Sequence, residues 1–127
     1  MARILIVDDD PDVITSIKIG LNKLSNKYDI IGANSGIECI KLLKLGAKPD
    51  LVLLDIMMPE MNGWQVYDHM QTKREWADIP VIFVTALDDR ETLQKGMQTN
   101  TYCIKKPFNI GELKEKIERV LSGETIF

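Results

Sequence analysis

Three consecutive aspartates, Asp8, Asp9 and Asp10, follow a short apolar run, and Asp55 closes another, Leu51-Val52-Leu53-Leu54. A carboxylate at the mouth of a buried strand is badly placed for core packing. It is well placed to present an oxygen nucleophile or a metal ligand to solvent. Crowded carboxylates repel, and each disfavours the charged form of the others. A divalent cation relieves that repulsion. All-oxygen donors with no histidine or cysteine beside them suit Mg²⁺, held by one or two carboxylates with waters and a phosphate oxygen. A carboxylate can also attack phosphorus and form an acyl phosphate. Two further runs end in Thr85 and in Lys105-Lys106. A lysine can hold one phosphoryl oxygen, and a threonine hydroxyl can donate to another. The set fits a slow, reversible phosphoryl acceptor.

For these residues to meet, the elements carrying them must converge. Ile4–Val7 is apolar without a 3.6-residue period, which predicts a strand buried on both faces. Asp10-Pro11 then starts a helix, with Asp as N-cap and Pro in the first position. Val13, Ile14, Ile17, Leu21 and Leu24 recur along it at helical spacing. Tyr28–Ala33 reads as an edge strand. Ser35-Gly36-Ile37-Glu38 reads as a capping box, continued by Ile37, Ile40 and Leu43 in a second helix. Leu51–Leu54 is the third strand, and Asn62-Gly63 begins a third helix through Trp64, Val66, Tyr67 and Met70. Val81–Val84 is the fourth strand. Asp88 or Asp89 is expected to cap a fourth helix through Leu93 and Met97. Tyr102–Ile104 is a short fifth strand. Asn109-x-x-Glu112 caps a last helix with the stripe Ile110, Leu113, Ile117, Val120 and Leu121.

Five strands alternating with five helices predict an α/β fold: a flavodoxin-like three-layer sandwich around a parallel sheet in the order 2-1-3-4-5. In that order strands 1, 3, 4 and 5 are neighbours. Their carboxyl ends, which carry Asp8-Asp9, Asp55, Thr85 and Lys106, fall in one crevice at the topological switch point.

The bulk properties narrow the classes. With 127 residues, 45% of them hydrophobic and 28% charged, the chain is expected to fold as one domain with its own core. A net charge of −3 gives no broad case for direct nucleic-acid binding. Cys39 and Cys103 form no C-x-x-C motif and are too few for a disulfide framework, so a reducing cytoplasm is expected. No apolar stretch approaches the ~18 residues of a membrane span. Met1-Ala2-Arg3 runs straight into the first strand, so no signal peptide is expected.

Four pieces, in order, carry a resemblance. They are Ile4-Leu5-Ile6-Val7-Asp8-Asp9-Asp10-Pro11, then Pro49 through Pro59 with Asn62-Gly63, then Pro80-Val81-Ile82 through Thr85-Ala86, then Lys106-Pro107-Phe108. Together they resemble the receiver domain of two-component response regulators over essentially the whole chain. The resemblance implies that Asp55 is the phosphoacceptor and Asp9 a direct Mg²⁺ ligand, with Asp8 acting through water. It implies the main-chain carbonyl of Met57 as a third protein ligand, Thr85 as the switch hydroxyl and Lys106 as the phosphoryl-binding lysine. It also implies a cis Lys106-Pro107 bond. The phosphoryl donor would be a sensor histidine kinase or a phosphotransfer protein. The output would be a changed partner-binding face toward an effector, with phosphorylation-dependent dimerisation as one form. The receiver domain would span residues 1–122, with 123–127 a tail or the start of a linker. Such a domain is a phosphoacceptor that assists its own phosphorylation and dephosphorylation, not a turnover enzyme.

The chain departs from the family pattern at Cys103, where an aromatic residue usually stands three positions before the lysine. Tyr102 is adjacent, but neighbouring residues in a strand face opposite ways. Met57 and Leu87, two beyond Asp55 and Thr85, are apolar and hydrogen-bond poorly to an attacking water. That predicts a long-lived phosphoryl state. Simpler roles suffice for other residues: Asp10 as helix cap, Lys105 as solvated charge, both cysteines as small buried groups, and Trp64 and Trp76 as packing. His69 has no second imidazole to work with. Asp8-x-Asp10 also resembles the start of a haloacid-dehalogenase-type phosphatase, but no acidic pair follows Lys106. A non-phosphorylated pseudo-receiver would not be expected to keep Asp8, Asp9, Asp55, Thr85 and Lys106 together. A flavin phosphate would be repelled by the acidic first loop.

Overall fold

The computed structural model describes residues 1–86 and 102–123. Its strands are β1 (Ala2–Val7), β2 (Tyr28–Ala33), β3 (Leu51–Asp55), β4 (Val81–Thr85) and β5 (Tyr102–Lys105). Its helices are α1 (Pro11–Leu24), α2 (Gly36–Lys44), α3 (Gly63–Gln71), a single turn α4 (Arg74–Ala77) and α5 (Ile110–Leu121). The strands form one sheet in the order β2-β1-β3-β4-β5. Every pairing is parallel.

Two cores flank the sheet because successive strand side chains point to opposite faces. Leu5, Val7, Val52, Leu54 and Phe83 pack with Cys39, Val66 and Met70 on the α2–α3 face. Ile4, Ile6, Leu51, Leu53, Ile82 and Val84 pack with Ile17, Leu21, Leu113 and Ile117 on the α1–α5 face. Burial on both sides is why the strands read as continuous apolar runs rather than alternating ones.

The helix starts follow their caps. Asp10 accepts a hydrogen bond from the Asp12 N–H, and Pro11 opens α1. Ser35 accepts from the Glu38 N–H at 3.0 Å. The full reciprocal box forms instead at α3, between Asn62 and Gln65. Asn109 accepts from the Glu112 N–H, and its amide donates to the Glu112 carboxylate.

The helix expected from Asp88 or Asp89 through Met97 lies outside the described residues. The turn α4 was not legible, because four residues carry no period; it buries Trp76 in the α2–α3 core. Leu24 and Ile37 were placed on apolar stripes, yet both are exposed. Leu24 ends its helix, and Ile37 falls outside the buried set Gly36, Cys39, Ile40 and Leu43.

Candidate functional site

The parallel register brings the strand ends together. Val7 pairs with Leu54, so Asp8 emerges beside Asp55. Asp55 in turn pairs with Val84, and Thr85 with Lys105. The Lys106 N–H donates to the Thr85 carbonyl at 2.7 Å, which seats the lysine at the crevice. The Lys106-Pro107 peptide is cis, as the resemblance implied.

Carboxylate oxygens of Asp8, Asp9 and Asp55 lie within 4.8 Å of one another. Asp8 and Asp55 are buried, and Asp9 is exposed. Lys106 Nζ donates to Asp8 Oδ2 at 3.0 Å and stands 3.9 Å from Asp55 Oδ2. The other Asp8 oxygen accepts the Asp10 N–H at 2.9 Å. The Met57 N–H donates to Asp55 Oδ1 at 3.3 Å. Burial first, and the Asp8 charge second, push the Asp55 carboxyl up to about 6, against the opposing pull of Lys106. Asp55 is therefore mostly ionised at neutral pH, but at a cost that an added cation would relieve. The donor set is all oxygen, which suits a hard divalent ion.

The expected site residues divide as follows. Asp8, Asp9, Asp55 and Lys106 form one cluster. Thr85 is buried at the end of β4, the strand next to Asp55. Met57 turns its side chain outward, and its backbone meets Asp55. Asp10 stays with its helix as a cap, and Lys105 is exposed. Leu87 lies outside the described residues. Met58, the residue after Met57, is buried in the α2–α3 core.

One participant was missed. A Cβ placed on Gly63 would lie 2.5 Å from the Asp55 carbonyl oxygen and 2.8 Å from the Ile56 Cα. No real Cβ approaches backbone so closely. The Gly63 N–H also donates to the Ile56 carbonyl at 3.0 Å. The Asn62-Gly63 pair was legible as a helix start, but nothing in its type alone told of this contact.

At the departure from the family pattern, Tyr102 and Cys103 take opposite faces. Tyr102 packs with the α1–α5 core, whereas Cys103 packs with the α2–α3 core. On that second face Trp64 lies 4.2 Å from Phe83, ring centre to ring centre, and Tyr67 lies 5.7 Å from it. Phe83 is two residues before Thr85 on the same strand. Cys103 is only partly buried, unlike Cys39, whose thiol burial pushes up to about 12.

Comparison with known proteins agrees with this geometry. Residues 4–118 match the response regulator receiver domain. The chain is 33% identical over 122 residues to the DNA-binding dual master transcriptional regulator RpaA of Synechocystis, covering 95% of this chain and 49% of that protein. It thus spans about half the length of that relative. It is 32% identical to a chemotaxis protein CheY homolog of Campylobacter jejuni, over 96% of each chain. The solved signal receiver domain of a signal transduction histidine kinase from Syntrophus aciditrophicus superimposes with a TM-score of 0.85 at 30% identity, covering 100% of this chain and 98% of that one. A parallel 2-1-3-4-5 sheet, acids on two of its strand ends and a lysine on a third make this chain a member of the response regulator receiver family, the phosphorylation-controlled switches of two-component signalling.

Proposed function

We propose that Asp55 accepts a phosphoryl group from a phosphohistidine, and the observation that carries this is its buried position beside Asp8, Asp9 and Lys106. A carboxylate oxygen of Asp55 forms the new O–P bond as the P–N bond of the donor breaks. The imidazole leaves and takes up a proton. The Met57 N–H holds Asp55 Oδ1 in one orientation. Lys106, already 3.9 Å from Asp55 Oδ2, shifts from Asp8 toward the phosphoryl oxygens. Thr85 supplies a hydroxyl from the neighbouring strand. Asp8, Asp9, Asp55 and the Met57 carbonyl would hold Mg²⁺, which would neutralise charge on the transferring group.

The donor is a sensor histidine kinase or a phosphotransfer protein. An apolar groove formed by Val13, Ile17, Phe108 and Ile110 runs up to Lys106 and suits docking of such a donor beside the nucleophile. The product state is read by an effector or by a second copy of the chain, in the cytoplasm. Residues 1–122 act as the receiver unit and 123–127 as a tail or linker. The protein assists its own phosphorylation and dephosphorylation and does not turn over substrate.

Incubation with a small acyl phosphate, with and without Mg²⁺, tests this reading. Intact-mass analysis should show a metal-dependent gain of one phosphoryl group in the wild type and none in Asp55→Asn. Equal labelling of the variant, or sustained release of phosphate from phosphomonoesters, would overturn it.

A further inference from the structure

At the amino end of the sheet, opposite the acidic cluster, α2 and α3 end side by side. Between them and the segments leading into β3 and β4 lies a cavity of about 630 Å³. That is within the ~300–1,000 Å³ typical of small-molecule sites. Its floor is apolar: Leu43, Pro49, Trp76 and Ile79. Its rim carries Lys44, Lys48 and Lys73 against one acid, Glu75.

Lysines near helix ends often serve only to offset the negative end of the helix dipole. Here the helix ends already satisfy much of that demand themselves. The N–H groups of Leu45, Gly46 and Ala47 bond to carbonyls of Lys41, Leu43 and Leu42. Those of Thr72 and Lys73 bond to His69 and Met70. Among the described ion pairs, none includes Lys44, Lys48 or Lys73. Three like charges around one opening repel, and an anion between them removes that repulsion, as a cation does among crowded carboxylates.

The wall bearing Lys48 is also fixed in place. Arg3 donates through Nη1 to the Ala47 carbonyl at 2.6 Å. The Asp50 carboxylate accepts the Arg3 N–H at 2.7 Å, and the Asp50 N–H donates back to the Arg3 carbonyl at 2.7 Å. Lys48 is held at φ +47° between those anchors. A pre-formed wall lowers the ordering cost of binding.

We propose that this groove is a second ligand site, which takes a small organic anion with a flat apolar body. Leu43, Pro49, Trp76 and Ile79 line the floor on which the body would rest, and the lysines hold the charge. The site is separate from the acidic cluster and does not depend on the phosphoacceptor reading.

The probe is 8-anilinonaphthalene-1-sulfonate, compared with the uncharged N-phenyl-1-naphthylamine. The full chain should bind one equivalent of the anionic dye, with amide shifts centred on Leu43–Pro49 and Lys73–Ile79. The Lys44→Glu/Lys73→Glu pair should weaken the anionic dye about tenfold and change the neutral one by less than about twofold. The milder Lys44→Gln/Lys73→Gln pair should give an intermediate loss. No binding of the anionic dye, equal losses for both dyes, or shifts centred on Val13 and Phe108 would overturn the assignment.

Discussion

At the carboxyl end of the sheet, three carboxylates and one ammonium are crowded onto strand ends, two of the acids buried. At the amino end, three lysines ring a groove on long, exposed side chains at or near the ends of helices. The contrast lies in how far each charge stands from rigid backbone. Strand ends hold the acids close together with Asp8 and Asp55 buried, so the charge on Asp55 is strained and chemistry is available. Flexible lysine stems leave their charges solvated, so they can recognise a ligand at little cost to the fold. Changes at the first end should therefore trade stability against function, and changes to the lysines at the second should leave stability nearly alone.

The sharpest way to break this contrast is through two glycines. Gly63→Val pushes side-chain carbon into the Asp55 carbonyl, against backbone that cannot step aside. We expect a loss of about 3–4 kcal/mol in urea unfolding and failure of phosphoryl acceptance. Gly46 at the other end has φ +89° and open space around its Cβ position. Gly46→Ala should cost only about 1–2 kcal/mol, from backbone conformation alone. Equal losses at the two positions would mean that the close approach at Gly63 is not what sets it apart.

The next effect concerns Asp55 itself. Its carboxyl is raised in the folded state from 3.8 to about 6, so the folded protein binds this proton more tightly than the unfolded one. The stability deficit therefore grows as pH rises from about 4 to about 6 and is complete above that. Without divalent metal, Asp55→Asn should be more stable than wild type by about 3 kcal/mol at pH 8, with the advantage vanishing near pH 4. An advantage that is the same at both pH values would show that burial of the charge is not its source.

The smallest effects belong to lysines at the amino end, a paired set first and an unpaired one after it. Glu118 takes Lys114 and Lys27 as partners, and those bonds draw its carboxyl down to about 2. Its contribution is present above the unfolded value of 4.5 and is lost as pH falls toward 2. Because Glu118 itself is more than a third exposed, Glu118→Gln should cost less than about 1 kcal/mol, and less still in high salt. Lys44→Met, with no ion pair among the described residues to lose, should lie within about 0.5 kcal/mol of wild type. Thermal or urea unfolding at two salt concentrations separates these cases.

How much the sequence disclosed depended on the range of the interaction. Strands buried on both faces announce themselves as unbroken apolar runs, and caps such as Asp10-Pro11 mark helix starts locally. The convergence of Asp8, Asp55 and Lys106 was legible because strand order places their ends. What escaped depends on distances between segments. The clearance between Gly63 and Asp55, the lodging of Lys106 on Asp8 rather than Asp55, and the aromatic contact of Trp64 with Phe83 have no local signature. The face taken by Tyr102 was a matter of strand register, and it leaves Cys103 where the family's aromatic would stand.

The strand order has a further consequence for biosynthesis. Each new strand meets a free edge of those already made: β2 on one side of β1, then β3 on the other, with β4 and β5 continuing outward. No strand must be threaded between two others, so the sheet can grow in the order the ribosome delivers it. Asp8, Asp9 and Asp55 come with the first and third strands, and their ammonium neighbour Lys106 follows the fifth. A nascent chain halted before β5 would carry the acidic trio without its counter-charge, so the segment that finishes the sheet also finishes the electrostatics of its functional end.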